Sequence, residues 1–301
     1  MKVIAVVVTY NRLELLQRTV ACLQGQTRPL DEILVVNNGS TDGTADWLAA
    51  QDGLHIITQG NTGGSGGFHS GIREAFIREA DWIWCMDDDV FPRPDCLEQL
   101  LRHTDDVPNT GILAPRRLLE GRIFTNDFRA LNLTNPFASM YRKKLKGQVV
   151  NAPVDICGTA FEGLCISKEC VAEIGLPNRD LFIFCDDTDY CIRAVQARYR
   201  IRYIPDALMD KHRFFSQDTW VERQRKKKWK RFYQVRNATY LNHRYGRNRA
   251  VRHLRGLNTA LGYMLIALLT APFTQAYQWS DIRRFWRAYR DGVKERLGIY
   301  Q

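Results

Sequence analysis

No two cysteines of this chain stand in a C-x-x-C spacing, although eight are present: Cys22, Cys85, Cys96, Cys157, Cys165, Cys170, Cys185 and Cys191. They are scattered, and several sit inside apolar runs, so neither a zinc site nor a disulfide framework is indicated. Reduced thiols in a cytosolic protein are the simpler expectation. The first apolar run is not followed by a glycine fingerprint, because Thr9-Tyr10-Asn11-Arg12 stands there, and G-x-x-x-x-G-K-[ST] occurs nowhere. Those two absences speak against a dinucleotide oxidoreductase and a P-loop ATPase. Met1 to Val8 is too short for a signal-peptide core and lacks a small-residue cleavage site, so it reads as a first strand. There is no internal repeat and no low-complexity segment.

What is present is a regular alternation. At 301 residues, 45% hydrophobic and 25% charged, the chain can bury a full core and carry an appendage. Strands are expected at 3–8, 32–36, 55–58 and 82–86, with helices at 13–23 and 68–80 and one capped by Ser40-Thr41-Asp42-Gly43-Thr44. Further strands are expected at 112–114, 161–167 and 201–204, with a helix at 187–198. Strands alternating with helices imply an α/β protein with a parallel sheet covered on both faces. From about Gln217 onward the pattern is helical.

Chemistry concentrates at two acidic knots. Asp87-Asp88-Asp89 follows the apolar run Trp82 to Met86, and Asp186-Asp187-Thr188-Asp189 follows Leu181-Phe182-Ile183-Phe184-Cys185. Hard divalent ions take oxygen ligands, and ligand crevices in open α/β sheets lie beyond the carboxyl ends of strands, so two acidic clusters at two strand ends suggest one site. A solvated turn, for the first, and helix capping, for the second, are the competing readings. Between the third strand and the next helix, five glycines fall within Gly60 to Gly67. Such a loop lets backbone N–H groups approach an anion, and a diphosphate suits it.

Charge is divided unevenly. Residues 1–210 hold 22 Lys+Arg against 28 Asp+Glu, whereas residues 211–301 hold 21 against 5. The basic third could face nucleic acid, an anionic membrane or only water. Nucleic acid is not expected, since the acidic first part would then have no purpose. An uncharged stretch from Gly256 to Ser280 contains the run Tyr263 to Leu269, broken by enough polar residues to favour a buried or interfacial helix over a transmembrane one.

Val6-Val7-Val8-Thr9-Tyr10-Asn11-Arg12, Val35 to Thr44, Asn61-Thr62-Gly63-Gly64-Ser65-Gly66-Gly67 and Asp87-Asp88-Asp89 follow one another in an order that resembles family 2 glycosyltransferases of the GT-A fold. The N-x-G-G-S-G-G-F loop, the second acidic knot and Pro205 to His212 are most similar to galactofuranosyltransferases, with rhamnosyltransferases next. The likeness covers about residues 3–215, with a weaker echo at Phe232 to Ala238. It implies a mixed, mostly parallel sheet in a catalytic domain at 1–215, followed by a helical region at 216–301.

The resemblance also assigns roles. Thr9 and Arg12 would flank the nucleotide, Asn38 and Asp42 would lie near base and ribose, and Asn61, Gly63, Gly64, Gly66 and Gly67, together with Asp88, would border the diphosphate and sugar of a UDP-sugar donor. Many members carry aspartate where this chain has Asn37. Asp87 and Asp89 would hold Mn²⁺ or Mg²⁺, with His212 as a third ligand that Mn²⁺ accepts better. Asp187 would take the proton of an acceptor hydroxyl, and Asp186 would orient that acceptor, in a single displacement with inversion. The implied donor is UDP-galactofuranose, with dTDP-rhamnose as the competing reading, and the implied acceptor is a growing polysaccharide or lipid-linked glycan. The expected place is the cytoplasm or the inner face of the cell membrane, where the basic third would meet anionic lipid or a second copy of the chain.

Overall fold

The computed structural model describes residues 1–124, 126–145, 149–214, 217–274 and 276–300. In chain order the elements are β1 (Val3–Thr9), α1 (Leu13–Gln24), β2 (Glu32–Asn37), α2 (Thr44–Ala49), β3 (Leu54–Thr58), α3 (Gly63–Ile77), β4 (Trp82–Asp87), β5 (Val90–Pro92), α4 (Cys96–Leu101), β6 (Thr110–Leu119) and β7 (Arg122–Ile123). There follow β8 (Phe128–Leu131), β9 (Tyr141–Lys144), β10 (Val154–Ile156), β11 (Leu164–Ser167), α5 (Lys168–Ile174), α6 (Asp186–Gln196), β12 (Arg200–Lys211), α7 (Trp220–Tyr245), α8 (Gly256–Thr274) and α9 (Trp279–Val293).

Two compact units emerge. The first comprises Met1–Ala130, Lys143–Arg179 and Asp186–Arg213, and the second Leu131–Arg142, Asp180–Cys185 and Phe214–Gln301. The boundary expected between residues 215 and 216 lies outside the described residues.

The first unit is built on a mixed sheet in the order β10-β12-β6-β11-β4-β1-β2-β3. β1 runs parallel to β2 and β4, β2 to β3, and β12 to β6, whereas β11 inserts antiparallel between β4 and β6. β1 is uninterrupted in apolar residues from Val3 to Val8 because both its faces are covered. Ile4, Val6 and Val8 join one core with Phe68, Ile72 and Ala75 of α3, and Val3, Ala5 and Val7 join the other with Leu16, Val20 and Leu23 of α1. Each such side chain, wholly removed from water, contributes about 1.5–3 kcal/mol. The parallel register sets Val8 of β1 against Asp87 of β4, so the first acidic knot begins where the central strands end.

Two local expectations change. α3 starts at Gly63 instead of Phe68, so most of the glycine run is helix. A Cβ on Gly67 would come within 2.4 Å of Val8 Cγ1, and one on Gly71 within 2.3 Å of Val6 Cγ1. Those two glycines let the helix lie close on β1. Residues 181–185 are not a strand either. Arg179–Leu181 forms a 3-10 turn, and Phe182, Phe184 and Cys185 adopt left-handed backbone with φ of 65°, 67° and 68°. Left-handed conformations in such residues cost of order 1–3 kcal/mol each. Asn237 Nδ2 offsets this by donating to the carbonyls of Leu181, Ile183 and Phe184 at 2.9, 2.8 and 3.0 Å, all within the second unit.

In the second unit α7, α8 and α9 enclose Phe232, Val235, Ala260, Ala267, Tyr277, Phe285 and Ala288. The Phe285 ring lies 4.6 Å from Phe232 and 5.2 Å from Tyr263. Residues 251–274 are long and apolar enough to cross a membrane, yet only 17% of the apolar window is buried. A buried helix is therefore not what the fold makes of it. Leu265, Leu269 and Phe273 are exposed at 54%, 61% and 85%.

Candidate active site

The first unit gathers its charged side chains around the end of β4. Asp88 is 2% exposed, accepting from Thr9 Oγ1 at 2.7 Å and from Arg12 Nη1 at 2.9 Å. Arg12 also stands 3.6 Å from Asp89. Burial works against the guanidinium charge, but Asp88 and Asp89 raise its pKa on balance. Thr9 and Arg12, expected beside a nucleotide, thus bond to the acidic knot itself.

Asp89, 6% exposed, meets a second cation that sequence reasoning did not single out. Lys211 Nζ, at the end of β12, lies 3.2 Å from Asp89 Oδ1 and 2.7 Å from Glu162 Oε1. Glu162 accepts in turn from Arg117 Nη1 at 3.0 Å, and Arg117 Nη2 donates to the wholly buried Asp127 at 2.6 Å. Burial pulls the Glu162 carboxyl up, but Arg117 and Lys211 hold it below the ordinary range. A charged residue inside the apolar run 161–167 was the available signal for Glu162, and Lys211 lies in the quoted segment beside His212.

Asp87 differs from its neighbours. Among the described residues its carboxylate makes no hydrogen bond or ion pair. Burial, then repulsion from Asp89, pushes its pKa well up. Like charges crowded in a low-dielectric place call for a cation.

His212 is joined to the knot through its backbone, its N–H donating to the Asp89 carbonyl at 2.9 Å. Among the described residues no three of His, Cys, Asp and Glu are gathered closely enough to hold a metal. The carboxylate pair Asp87 and Asp89 nonetheless has the oxygen chemistry a hard divalent ion requires.

The second acidic knot opens α6 in the same unit. Asp186 is pushed up to about 6 by burial, against backbone hydrogen bonds that lower it. Asp187 is pushed up to about 7 by burial first and then by the charge of Asp186, while Thr188 N–H and Oγ1 donate to it at 2.5 and 3.1 Å. Glu162 is felt by both Asp87 and Asp187. Asp189 instead pairs with Arg193 at 3.0 Å, one turn along the helix.

The remaining sequence-selected residues shape the rim. Asn38, 2% exposed, donates to the Gly63 carbonyl at 2.8 Å and accepts from Gln59 Nε2 and Thr62 N–H, which ties the ends of β2 and β3 to the start of α3. Asn61 Oδ1 accepts from Gly63 N–H at 3.0 Å. Asp42 accepts from Leu13 N–H and Thr44 Oγ1; burial raises it, but these hydrogen bonds bring its pKa below the ordinary value. A Cβ on Gly64 would enter open space, whereas one on Gly66 would come within 2.2 Å of Thr62 Oγ1.

Comparison with known proteins identifies the family and the fold. Residues 4–162 match the family model described as glycosyl transferase family 2. Galactofuranosyltransferase GlfT1 of Mycolicibacterium smegmatis is 27% identical over 212 residues, which span 65% of this chain and 66% of that protein. The dTDP-rhamnosyl transferase RfbF of Shigella flexneri is 27% identical over 207 residues, 68% of this chain and 67% of that protein. Among solved structures, a mannosyltransferase from Pyrobaculum calidifontis in complex with GDP-Man and Mn²⁺ superposes with a TM-score of 0.55 at 15% identity, covering 98% of this chain and 88% of that one. The mixed, mostly parallel sheet is that of the GT-A fold, and a helical C-terminal region follows it.

Proposed function

Because the chain belongs to glycosyl transferase family 2, we propose that it moves galactofuranose from UDP-galactofuranose onto a hydroxyl of a growing polysaccharide or lipid-linked glycan, by single displacement with inversion. The observation that carries the chemistry is the contrast between Asp87, a crowded carboxylate with no direct partner, and Asp187, a carboxyl raised to about 7 in the same unit. Asp87 and Asp89, with His212, would hold Mn²⁺ or Mg²⁺, which when bound neutralises charge on the departing diphosphate.

The chain's own residues account for the rest. Arg12 and Lys211 keep the acidic knot from repelling a diphosphate, and Asn38 and Asn61 set the start of α3, whose partly positive N-terminus faces anions. Asp187 takes the acceptor proton, since a base with a pKa near the working pH combines availability with driving force. Asp186 orients the acceptor.

Likeness to the mycobacterial galactofuranosyltransferase supports the donor, and likeness to the Shigella rhamnosyl transferase supports dTDP-rhamnose as the second reading. A donor panel read by released nucleotide separates them. UDP-galactofuranose is expected to turn over well above UDP-galactopyranose and dTDP-rhamnose, and equal use of the pyranose overturns the assignment.

The second unit supports a place at the membrane. Arg223, Arg225, Arg247, Arg249 and Arg252 are exposed, as are Leu261, Leu265, Leu268, Leu269 and Phe273 of α8. Basic residues near an anionic bilayer contribute about 1 kcal/mol each. Arg255 does not belong to that group, because it is 7% exposed and bonded to Asn242 Oδ1 at 2.9 Å.

A further inference from the structure

The second unit also buries a positive charge that it does not neutralise. Arg236 of α7 is 1% exposed. Among the described residues its guanidinium donates only to neutral oxygens: Nε to Asn237 Oδ1 at 2.8 Å, Nη1 to the Gly298 carbonyl at 2.5 Å, and Nη2 to the carbonyls of Asp180 and Leu181 at 3.3 and 3.0 Å. The rings of Tyr233 and Tyr300 lie 4.9 and 5.0 Å away. These contacts satisfy N–H groups without cancelling the charge, and an uncompensated buried ion costs several kcal/mol. Burial accordingly holds the Arg236 pKa below its ordinary value.

Arg236 lines a cavity of about 310 Å³ that Arg287, Arg290 and Arg296 also line. Asp291 is the one carboxylate among the lining residues, and it already pairs with Arg287 at 3.5 Å. Arg290 and Arg296 form no side-chain ion pair among the described residues. Tyr300 Oη is buried there with no hydrogen-bond partner among them. Four guanidiniums and an idle hydroxyl thus face one carboxylate that is spoken for.

We propose that this cavity binds a phosphate monoester or a diphosphate, with Arg290, Arg296 and the Tyr300 hydroxyl taking its terminal oxygens and Arg236 supplying the fixed charge beneath. Guanidinium forks match phosphate oxygens in pairs, and several converging on one place suit an anion of charge −2 or more; a carboxylate would occupy a single fork. The volume equals that of roughly ten liquid waters. That admits a diphosphate with the first atoms of its ester. Leu297 and Ile299 on the same wall suit an organic ester. A soluble phosphate ester and a lipid headgroup present the same chemistry, and the experiment separates them.

Inorganic pyrophosphate is titrated into the full chain by calorimetry in EDTA, which withholds the divalent ion that would hold a diphosphate at the acidic knot of the first unit. Saturable binding of one equivalent is expected. Arg290→Ala/Arg296→Ala should weaken it at least about tenfold and Tyr300→Phe about threefold, as loss of charge-assisted and neutral hydrogen bonds predicts. Arg290 and Arg296 are exposed, so the double variant should melt with the wild type. In a second arm, run at salt high enough to release the basic surface of the unit from anionic lipid, phosphatidylcholine vesicles carry either phosphatidic acid, a monoester, or phosphatidylglycerol, a diester. Binding to phosphatidic acid that the double variant loses, with or without binding of free pyrophosphate, supports the site and makes the headgroup a source. No binding of either probe, full affinity retained by the double variant, or equal binding of both vesicle types by wild type and variant alike, overturns it.

Discussion

Each unit buries paired charge, as at Arg117 with Asp127 and at Asp281 with Lys228, but among the described residues the two leave buried charge of opposite sign without a side-chain counterion. In the first, buried carboxylates are met by side-chain cations: Asp88 by Arg12, Asp89 and Glu162 by Lys211, Asp127 and Glu162 by Arg117. Asp87, Asp88 and the pair Asp186 and Asp187 keep raised pKa values, and of these Asp88 is, among the described residues, the one paired with a cation. In the second, Arg236 and Arg255 are buried against carbonyl and amide oxygens alone. Breaking a buried pair costs more than the pair contributes, so a charge kept without a partner is seldom a matter of stability. The difference separates a region that asks for a cation from one that asks for an anion.

The largest test of that contrast is metal removal. Excess EDTA should abolish sugar transfer, and Asp89→Ala should lower it by about 10³-fold, since several kcal/mol of leaving-group stabilisation go with the ligand. Full turnover in EDTA would show that Lys211 and Arg12 suffice as cations.

Next comes Asp187→Asn, which should keep donor binding and lower turnover by about 10²–10³-fold. Wild-type rate should rise with pH through about 7 as this carboxyl ionises. The stability effect has the opposite sense. A folded pKa raised above the unfolded one means that the acid form is favoured in the fold, so stability is complete below the unfolded value and falls as pH rises through about 7. The amide escapes this loss, and its Tm above pH 7 should exceed the wild type's by about 2–4 °C. A variant that is neither slower nor more stable would place the base elsewhere.

The smallest expected effect concerns the second unit's surface. The chain should co-sediment with anionic liposomes at low salt, leave them at high salt and ignore neutral ones. Arg247→Glu/Arg249→Glu should weaken that binding at least about 30-fold, at roughly 1 kcal/mol for each basic residue lost. Equal failure on both liposome types would return the basic helices to packing, or to a second copy of the chain.

Residue order alone was enough for the βα alternation of the first unit, because period-2 and period-3.6 patterns of apolar residues reflect local geometry that burial then enforces, as in β1 and α1. It also located Asp87, Asp88 and Asp89 at a strand end, since carboxylates halt a buried strand wherever it lies. Other features were decided by packing. The glycines of α3 read as a ligand loop until Val6 and Val8 showed two of them to be contact surfaces, and residues 181–185 read as a strand until Asn237, more than fifty positions away, held them in left-handed turns. Arg117 and Glu162 carry no motif, and Lys211 stands in one only as the neighbour of His212. Their roles arise because β6, the segment before β11, and the end of β12 bring a guanidinium, a carboxylate and an ammonium together from distant points in the chain, and Coulomb energy depends on distance in space.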